Sequence, residues 1–299
     1  MNSRHQRNED FFGEVGQEKI RNATITIVGL GGVGGHVVQQ TALLGVGSHH
    51  VVDAETFEET NRNRYVTARA TDIVPGTRKV DIAERLILEI DPSINVNKIA
   101  DSLISEQAFN AVIESDYVFG CVDSEGTRLV LTELCAAYNR PYIDISSDIN
   151  LEEKPIYGGR VCTSVGGNSC LVCLGQLDMQ EAQEELGGLA ARKLREAIYG
   201  INKNQLGRSG PSVVSINGVV ASFGVTEFML HITGVREMLP LLTYRGDMGK
   251  VLSVRTCHRQ IATTAKVFSA RVTTLMFSAT YALESEHFFD KGDNNCPQG

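Results

Sequence analysis

The sequence has no excess of basic residues: 28 Lys and Arg against 36 Asp and Glu leave a net charge of -8 over 299 residues. Nonspecific binding to duplex nucleic acid needs a field of cations to displace counterions, so that class is excluded. Free nucleotides are not, because a few local cations suffice for them. Proline is scarce, 7 residues beside 29 glycines, and 42% of the chain is hydrophobic against 21% charged. Such a composition excludes disordered, collagen-like and small stapled chains and leaves a globular protein of one large or two ordinary domains.

A long apolar run is also missing near the start. Arg4, Arg7, Glu9, Asp10, Glu14, Glu18 and Lys19 interrupt the first twenty residues, which therefore read as neither a secretory signal nor a membrane anchor. The stretch Ser212 to Gly234 is apolar, but Glu227 and His231 within it favour a buried helix over a membrane span. No membrane partner and a cytoplasmic location are expected. Seven cysteines, an odd number spread along a long chain, fit reduced thiols or a metal site better than a disulfide framework. No internal repeat or low-complexity segment is present.

What is there is an alternation of β and α patterns. Ala23 to Leu30 is a β-branched run ending in glycines, Val33 to Val46 reads as a helix, and Ser48 to Asp53 is a second β run. The rhythm continues with a helix from Thr77 to Ile90, a strand near Val96, a helix from Ser105 to Ile113, a strand from Tyr117 to Val122, a helix from Glu125 to Tyr138 and a strand from Tyr142 to Ile145. Alternation on this scale predicts an α/β fold with a doubly wound, Rossmann-like, mostly parallel sheet. After Asp148 the pattern changes to hairpin-like β from Ile156 to Val165, a charged helix from Met179 to Tyr199, the apolar helix from Ser212, and strands at Leu242 to Arg245 and Lys250 to Arg255. The expected organisation is an N-terminal arm (1–20), a nucleotide-binding half (21–150), a crossover half with a mixed β extension (151–256) and a tail (257–299).

Gly29-Leu30-Gly31-Gly32-Val33-Gly34 satisfies G-x-G-x-x-G at a strand-to-helix junction, where backbone N–H groups approach a phosphate. Asp53 follows at the end of the second strand, positioned to accept the hydrogens of a ribose diol. A glycine loop with its acidic partner fits NAD as well as ATP. The residues that follow separate the two: Thr60-Asn61-Arg62-Asn63-Arg64 and then Lys79 place cations beside the ribose site. Hydride transfer has no use for them, whereas attack at the α-phosphorus of a triphosphate needs charge neutralised on the phosphoryl and on the leaving pyrophosphate. Taken singly, Arg62 and Arg64 read as a solvated loop and Lys79 as an exposed helix start. Asp123 and Ser124 close the strand from Tyr117, where ligands bind in open α/β sheets; the acid suits Mg²⁺, and either residue also suits a helix N-cap.

These residues resemble the ThiF/MoeB/HesA family, bacterial relatives of the ubiquitin-activating enzymes, over about residues 1 to 255. The family's G-x-G-G-x-G loop, strand-ending Asp, S-N-x-x-R-like stretch, helical Lys and later Asp correspond in order to Gly29 to Gly34, Asp53, Thr60 to Arg64, Lys79 and Asp123. Arg7 resembles the N-terminal arginine that relatives extend into a partner subunit's ATP site. The resemblance implies adenylation of the C-terminal glycine carboxylate of a small ubiquitin-like or sulfur-carrier protein by MgATP. Asp53 then holds the ribose, Arg64 and Lys79 the phosphates, and Asp123 the magnesium, with Gly29, Gly31, Gly32, Gly34, Asn61 and Ser124 completing the nucleotide site. It also implies a homodimer formed through the helix from Ser212, for which a core helix within one chain is the simpler alternative.

Cys170-Leu171-Val172-Cys173 suits half of a tetrahedral zinc site, a zinc knuckle that relatives complete with a second C-x-x-C. Here Cys257 and Cys296 each offer only a first cysteine; zinc on Cys170, Cys173 and Cys257, with His258 or Cys296, is the expectation, and a dithiol the alternative. The crossover stretch Gln176 to Pro211, where many relatives carry an acyl-accepting cysteine, contains none. Adenylation with direct transfer to a thiol or amine of a second protein, such as a conjugating enzyme, is therefore expected; a thioester on this chain would need Cys162 or Cys257. A relative that adenylates a peptide or a tRNA-bound carboxyl group, and an NAD-dependent oxidoreductase, are the competing readings.

Overall fold

The computed structural model of the chain describes residues 4–151, 154–167, 169–187 and 210–254. Eight strands form one sheet in the order β3-β2-β1-β4-β5-β6-β7-β8. They are β1 (Thr24–Val28), β2 (Ser48–Val52), β3 (Asn95–Ile99), β4 (Tyr117–Gly120), β5 (Tyr142–Asn150), β6 (Ile156–Ser164), β7 (Leu241–Arg245) and β8 (Lys250–Val254). The first five run parallel and the last three add on antiparallel. Because β1 has β2 on one side and β4 on the other, the strand order reverses there, and a crevice opens at the carboxyl ends of β1 and β4.

Described helices are α1 (Gln6–Asn22), α2 (Gly32–Leu44), α3 (Lys79–Ile90), α4 (Glu106–Glu114), α5 (Glu125–Ala137), α6 (Met179–Leu186) and α7 (Val214–Ile232). They cover both sheet faces, and the strands show why: successive side chains alternate sides. Val51 and Phe119 join the core beneath α2, α3 and α7, while their neighbours Val52 and Val118 join the core beneath α4 and α5. Strands buried on both faces read as unbroken β-branched runs, which is what made ATITIV legible.

Two elements differ from expectation. β5 extends beyond Ile145 to Asn150, because an antiparallel ladder with β6 holds polar Ser146, Ser147 and Asp148 extended. Residues 6–22, read as part of an arm, form α1, bent at Gly13 (φ 79°) and fastened by buried Ile20 and by Gln17, whose Nε2 donates to the Leu44 carbonyl at 2.9 Å. The charged helix is α6, ending at Leu186; its expected continuation to Tyr199 lies outside the described residues, as does the tail beyond Val254.

The apolar helix α7 packs against α2, β5 and β6 of its own chain. Its internal acid, Glu227, is 1% exposed and receives both Arg236 Nη atoms (2.7 and 2.5 Å) and the Leu239 N–H (2.9 Å). A charge so paired tolerates burial. Along α2 and α7, Gly32 meets Asn217, the His36 ring lies against Gly218, and Gln40 Nε2 donates to Ser222 Oγ at 3.0 Å. The residue numbers rise together, so the two helices run in the same direction with their N-termini side by side. No described helix is long and apolar enough to cross a membrane.

His49 on β2 is 1% exposed; its Nε2 lies 3.0 Å from Thr41 Oγ1 and its Nδ1 has no partner among the described residues. Burial pushes its pKa down to about 3. The unfolded chain binds this proton below about 6.5 and the folded one does not, so the contribution is intact above about 6.5 and lost as pH falls toward 3. Urea titrations are expected to show stability falling over that window by up to about 1.4 kcal/mol per pH unit from this group, and a shallower fall for His49→Gln; parallel profiles for the two proteins would contradict the assignment.

Candidate active site

Val28 ends β1, and the backbone must turn at once to start α2 beneath the crevice. Gly29 takes a left-handed conformation (φ 86°) open to few other residues, and its N–H donates to the Val52 carbonyl at 2.9 Å. A Cβ on Gly34 would collide with the Gly29 carbonyl oxygen, and one on Gly32 with Asn217 Nδ2; Gly31 has open space around it. The glycines therefore serve two ends, a tight turn and close helix contact. α2 has neither a side-chain cap nor an acid in its first turn, so its leading N–H groups and dipole remain available to an anion.

Asp53 is locked to this turn. Its Oδ2 accepts the Leu30 N–H at 2.7 Å and its Oδ1 the Glu55 N–H at 2.8 Å. Burial raises its pKa above the usual carboxylate value, while Lys79 and the two N–H groups pull it back. Each oxygen keeps a lone pair, which leaves room for a diol.

A cleft of about 660 Å³ spans the switch point, lined by Gly29, Gly31, Gly32, Asp53, Asn61, Arg64, Lys79, Asp123 and Ser124. Nearly all of the nucleotide-site residues read from the sequence thus share one cavity; Gly34 stands just behind, packed on Gly29. Asn61 closes a 3-10 turn by accepting the Glu58 N–H at 3.1 Å. Arg64 is half-buried, with Nη1 donating to the Thr60 carbonyl (2.8 Å) and Asn63 Oδ1 (3.3 Å). Arg62 behaves differently: it is exposed, pairs with Glu59 at 3.5 Å and does not line the cleft. Of the two loop arginines, only Arg64 faces the site.

Lys79 opens α3 but is not an exposed helix start. It is 6% exposed and its ammonium pairs with Glu55, a residue that sequence reasoning missed. The neighbouring Tyr65 packs at a tilt against Phe57 and, with Ile82, forms a small buried cluster between Arg64 and Lys79. Asp123 is exposed at the cleft and engages no hydrogen bond or ion pair among the described residues. Ser124 is the N-cap of α5, accepting the Thr127 N–H at 3.1 Å, and donates to Glu185 Oε2 at 2.7 Å.

Behind Asp123 lies a buried ionic cluster with no sequence signal. Asp144 (0% exposed) accepts from Arg160 Nη1 at 2.6 Å and from the Tyr142 hydroxyl at 3.0 Å, and Arg128 Nε lies 3.5 Å away. Arg128 Nη2 also donates to the Val122 carbonyl at 2.7 Å, which pins the backbone just before Asp123. Cys121 lines the cleft floor, and burial raises its pKa, so it stays a thiol. Cys162 is 2% exposed within β6 and is closed to an acyl donor.

Arg7 is exposed on α1 and does not line the cleft. Cys170 and Cys173 bring their sulfurs to 2.9 Å, and the Cys173 N–H points at Cys170 Sγ (3.3 Å). Among the described residues no group of three metal-ligating side chains forms; Cys257, His258 and Cys296 lie outside them. The pair fits half of a zinc site and no more. The free carboxylate of Asp123 at the cleft fits Mg²⁺, which would complete its oxygen shell with phosphate and water.

A reversed strand order, a glycine turn with its acid, and inward-facing cations define a nucleotide-binding protein of the doubly wound α/β class. The chain belongs to the ThiF family, which it matches over residues 3–268. It is 30% identical over 136 residues to the adenylyltransferase and sulfurtransferase MOCS3 of Drosophila willistoni, covering 46% of this chain and 29% of that protein. To protein HesA of Nostoc it is 28% identical over 137 residues, 46% of this chain and 54% of HesA. The chain thus spans from under a third to about half the length of these relatives. Its fold is similar to that of Escherichia coli MccB, solved with AMPCPP and MccA: TM-score 0.66, 22% identity, covering 87% of this chain and 73% of MccB.

Glu55 holds the ammonium that a phosphate in the cleft would need, yet its own side chain is 73% exposed, so the pair is weakly held. Calorimetry with ATP is expected to show Glu55→Gln binding about two- to tenfold more tightly than wild type. Weaker binding by this variant would mean that Glu55 positions Lys79 and does not compete for it.

Proposed function

We propose that the chain is an ATP-dependent adenylyltransferase that activates the C-terminal glycine carboxylate of a small ubiquitin-like or sulfur-carrier protein. The observation that carries this reading is the convergence of Arg64, Lys79 and Asp123 with the glycine turn and Asp53 around one cleft. A dinucleotide would explain the turn and Asp53 but would leave both cations and Asp123 without a task.

In the reaction, a carboxylate oxygen bonds to the α-phosphorus as the α–β phosphoanhydride bond breaks, and its electron pair leaves with pyrophosphate. A terminal carboxyl group, with a pKa of about 3.5, is already ionised at neutral pH, so no general base is required. The chain's work is placement and neutralisation. Asp53 orients the ribose, the first turn of α2 receives phosphate oxygens, and Arg64 and Lys79 balance the charge that develops toward pyrophosphate. Asp123 would hold Mg²⁺, which supplies further neutralisation when bound. Arg128 keeps the Asp123 backbone in register. Burial of Cys162 and the lack of a cysteine between Gln176 and Pro211 support direct passage of the adenylate to a thiol or amine of a second protein, with Cys257 the remaining candidate for a thioester on this chain.

ATP–pyrophosphate exchange tests this reading, with a small ubiquitin-like carrier ending in Gly and, in parallel, a short peptide with a free carboxyl terminus. Exchange that depends on the carrier is expected, and Asp123→Ala and Arg64→Ala should each lower it by about tenfold or more, that is at least about 1.4 kcal/mol of transition-state stabilisation. Unchanged exchange in both variants, or binding of NAD with no exchange, would overturn the assignment. Exchange with the peptide alone would move the substrate to the peptide class.

The proposal includes a homodimer in which exposed Arg7 completes the partner's site. Mixing equal amounts of inactive Arg7→Ala and Asp123→Ala chains is then expected to restore about a quarter of wild-type exchange, because half of the reassorted dimers carry one intact site. No restoration would place Arg7 outside the chemistry.

A further inference from the structure

The cleft contains a small neutral hydrogen-bonded cluster that the nucleotide does not need. Asn217, in the first turn of α7, is 1% exposed and lines the cleft against Gly32, at the first turn of α2. Its Oδ1 accepts from Ser147 Oγ at 2.8 Å, and its Nδ2 donates to Ser212 Oγ at 3.0 Å. Its α7 neighbours Ile216, Val219 and Val220 are apolar and do not line the cleft; Asn217 does, and its amide is spent on two serine hydroxyls there.

The amide does set the direction of one hydroxyl. Ser212 Oγ is an acceptor for Nδ2, and its other contact with the amide, to Oδ1, is long at 3.5 Å, where Ser147 already donates. The Ser212 proton is thereby left for a ligand, and Ser212 is half-buried at the cleft wall. Ser146, the other hydroxyl nearby, is occupied by Arg128 Nη2 at 3.1 Å.

We infer that Ser212 binds the substrate's terminal carboxylate beside the glycine turn and that Asn217 is its positioning residue. The inference rests on the proposed adenylation and names the subsite for its nucleophile. A carboxylate that attacks phosphorus has to be held within about 3.5 Å of it without losing its negative charge to a cation. Neutral donors orient it and leave it nucleophilic, whereas Arg64 and Lys79 would quench it. Asn217 touches Gly32, where the phosphate chain is received, and so places Ser212 next to the reacting phosphoryl group. After the transfer the same hydroxyl donates to the acyl carbonyl oxygen of the adenylate.

The test uses two nonreactive nucleosides that differ by one acyl group: 5′-O-(N-glycylsulfamoyl)adenosine and 5′-O-sulfamoyladenosine. Wild type is expected to prefer the glycyl compound, and Ser212→Ala to lose about tenfold of that preference, the worth of one neutral hydrogen bond, with sulfamoyladenosine affinity unchanged and a lower thermal midpoint because Asn217 Nδ2 loses its acceptor. Ser212→Thr, which keeps the hydroxyl, should retain the preference, and Asn217→Ser should lose part of it. An undiminished preference in Ser212→Ala would overturn this inference alone, as would equal weakening toward both compounds, which would make the cluster a support for the nucleotide loop. Failure of wild type to bind either compound would contradict the adenylation reading itself and this inference with it.

Discussion

One carboxylate holds the site together. Asp53, at the end of β2, accepts the N–H of Leu30 from the glycine turn and the N–H of Glu55 from the loop that follows. The first bond fixes where the glycine turn ends; the second fixes where the loop that supplies Arg64 and Lys79 begins. Lys79 returns to the same place, its N–H bonded to the Glu55 carbonyl and its ammonium to the Glu55 side chain. Glycine turn, strand-ending acid and buried lysine are thus parts of one hydrogen-bonded unit at the carboxyl ends of β1 and β2.

The opposite wall of the cleft depends on burial of charge. Asp144 sits with no exposure between Arg128 and Arg160, and removing it would strip Arg160 of its carboxylate partner among the described residues, whereas Arg128 keeps Glu125. That cluster aligns Asp123 through the Val122 carbonyl and ties β5 and β6, the point where the parallel sheet turns antiparallel, to the mouth of the site. Arg160 also donates to the Gln176 carbonyl at 2.8 Å, just after the Cys170–Cys173 turn. Glu185 on α6 receives Ser124 Oγ and the Gly126 N–H, both at 2.7 Å. The start of the crossover segment is thereby fastened to the N-terminus of α5, directly after Asp123.

The parallel half of the fold was legible because strands buried on both faces are written as β-branched runs and because glycine at Gly29 and Gly34 answers a steric demand that no other residue meets. Asp53 and Asp123 were legible as acids placed where a parallel strand ends, and Lys79 as the start of the helix after the Pro75-Gly76 turn. What sequence did not disclose are contacts between distant segments. Glu55 looks like one more surface acid until α3 brings Lys79 onto it. Arg128, Asp144 and Arg160 fall in an α-helix and two strands with no shared period. Arg62 and Arg64 are chemically alike in the sequence, and only the 3-10 turn at Glu59–Asn61 decides which one faces inward. The polar end of β5 was misread because its extended form comes from its partner strand, not from its own composition.

The central claim is that the glycine turn and the cations of the following loop surround a single triphosphate. A crystal structure with AMPCPP and Mg²⁺ addresses it most directly. The account predicts the ribose on Asp53, phosphates on the first turn of α2, Lys79 transferred from Glu55 to phosphate oxygens, and the metal on Asp123. A nucleotide bound with the Lys79–Glu55 pair intact and Arg64 turned away, or bound outside this cleft, would contradict it.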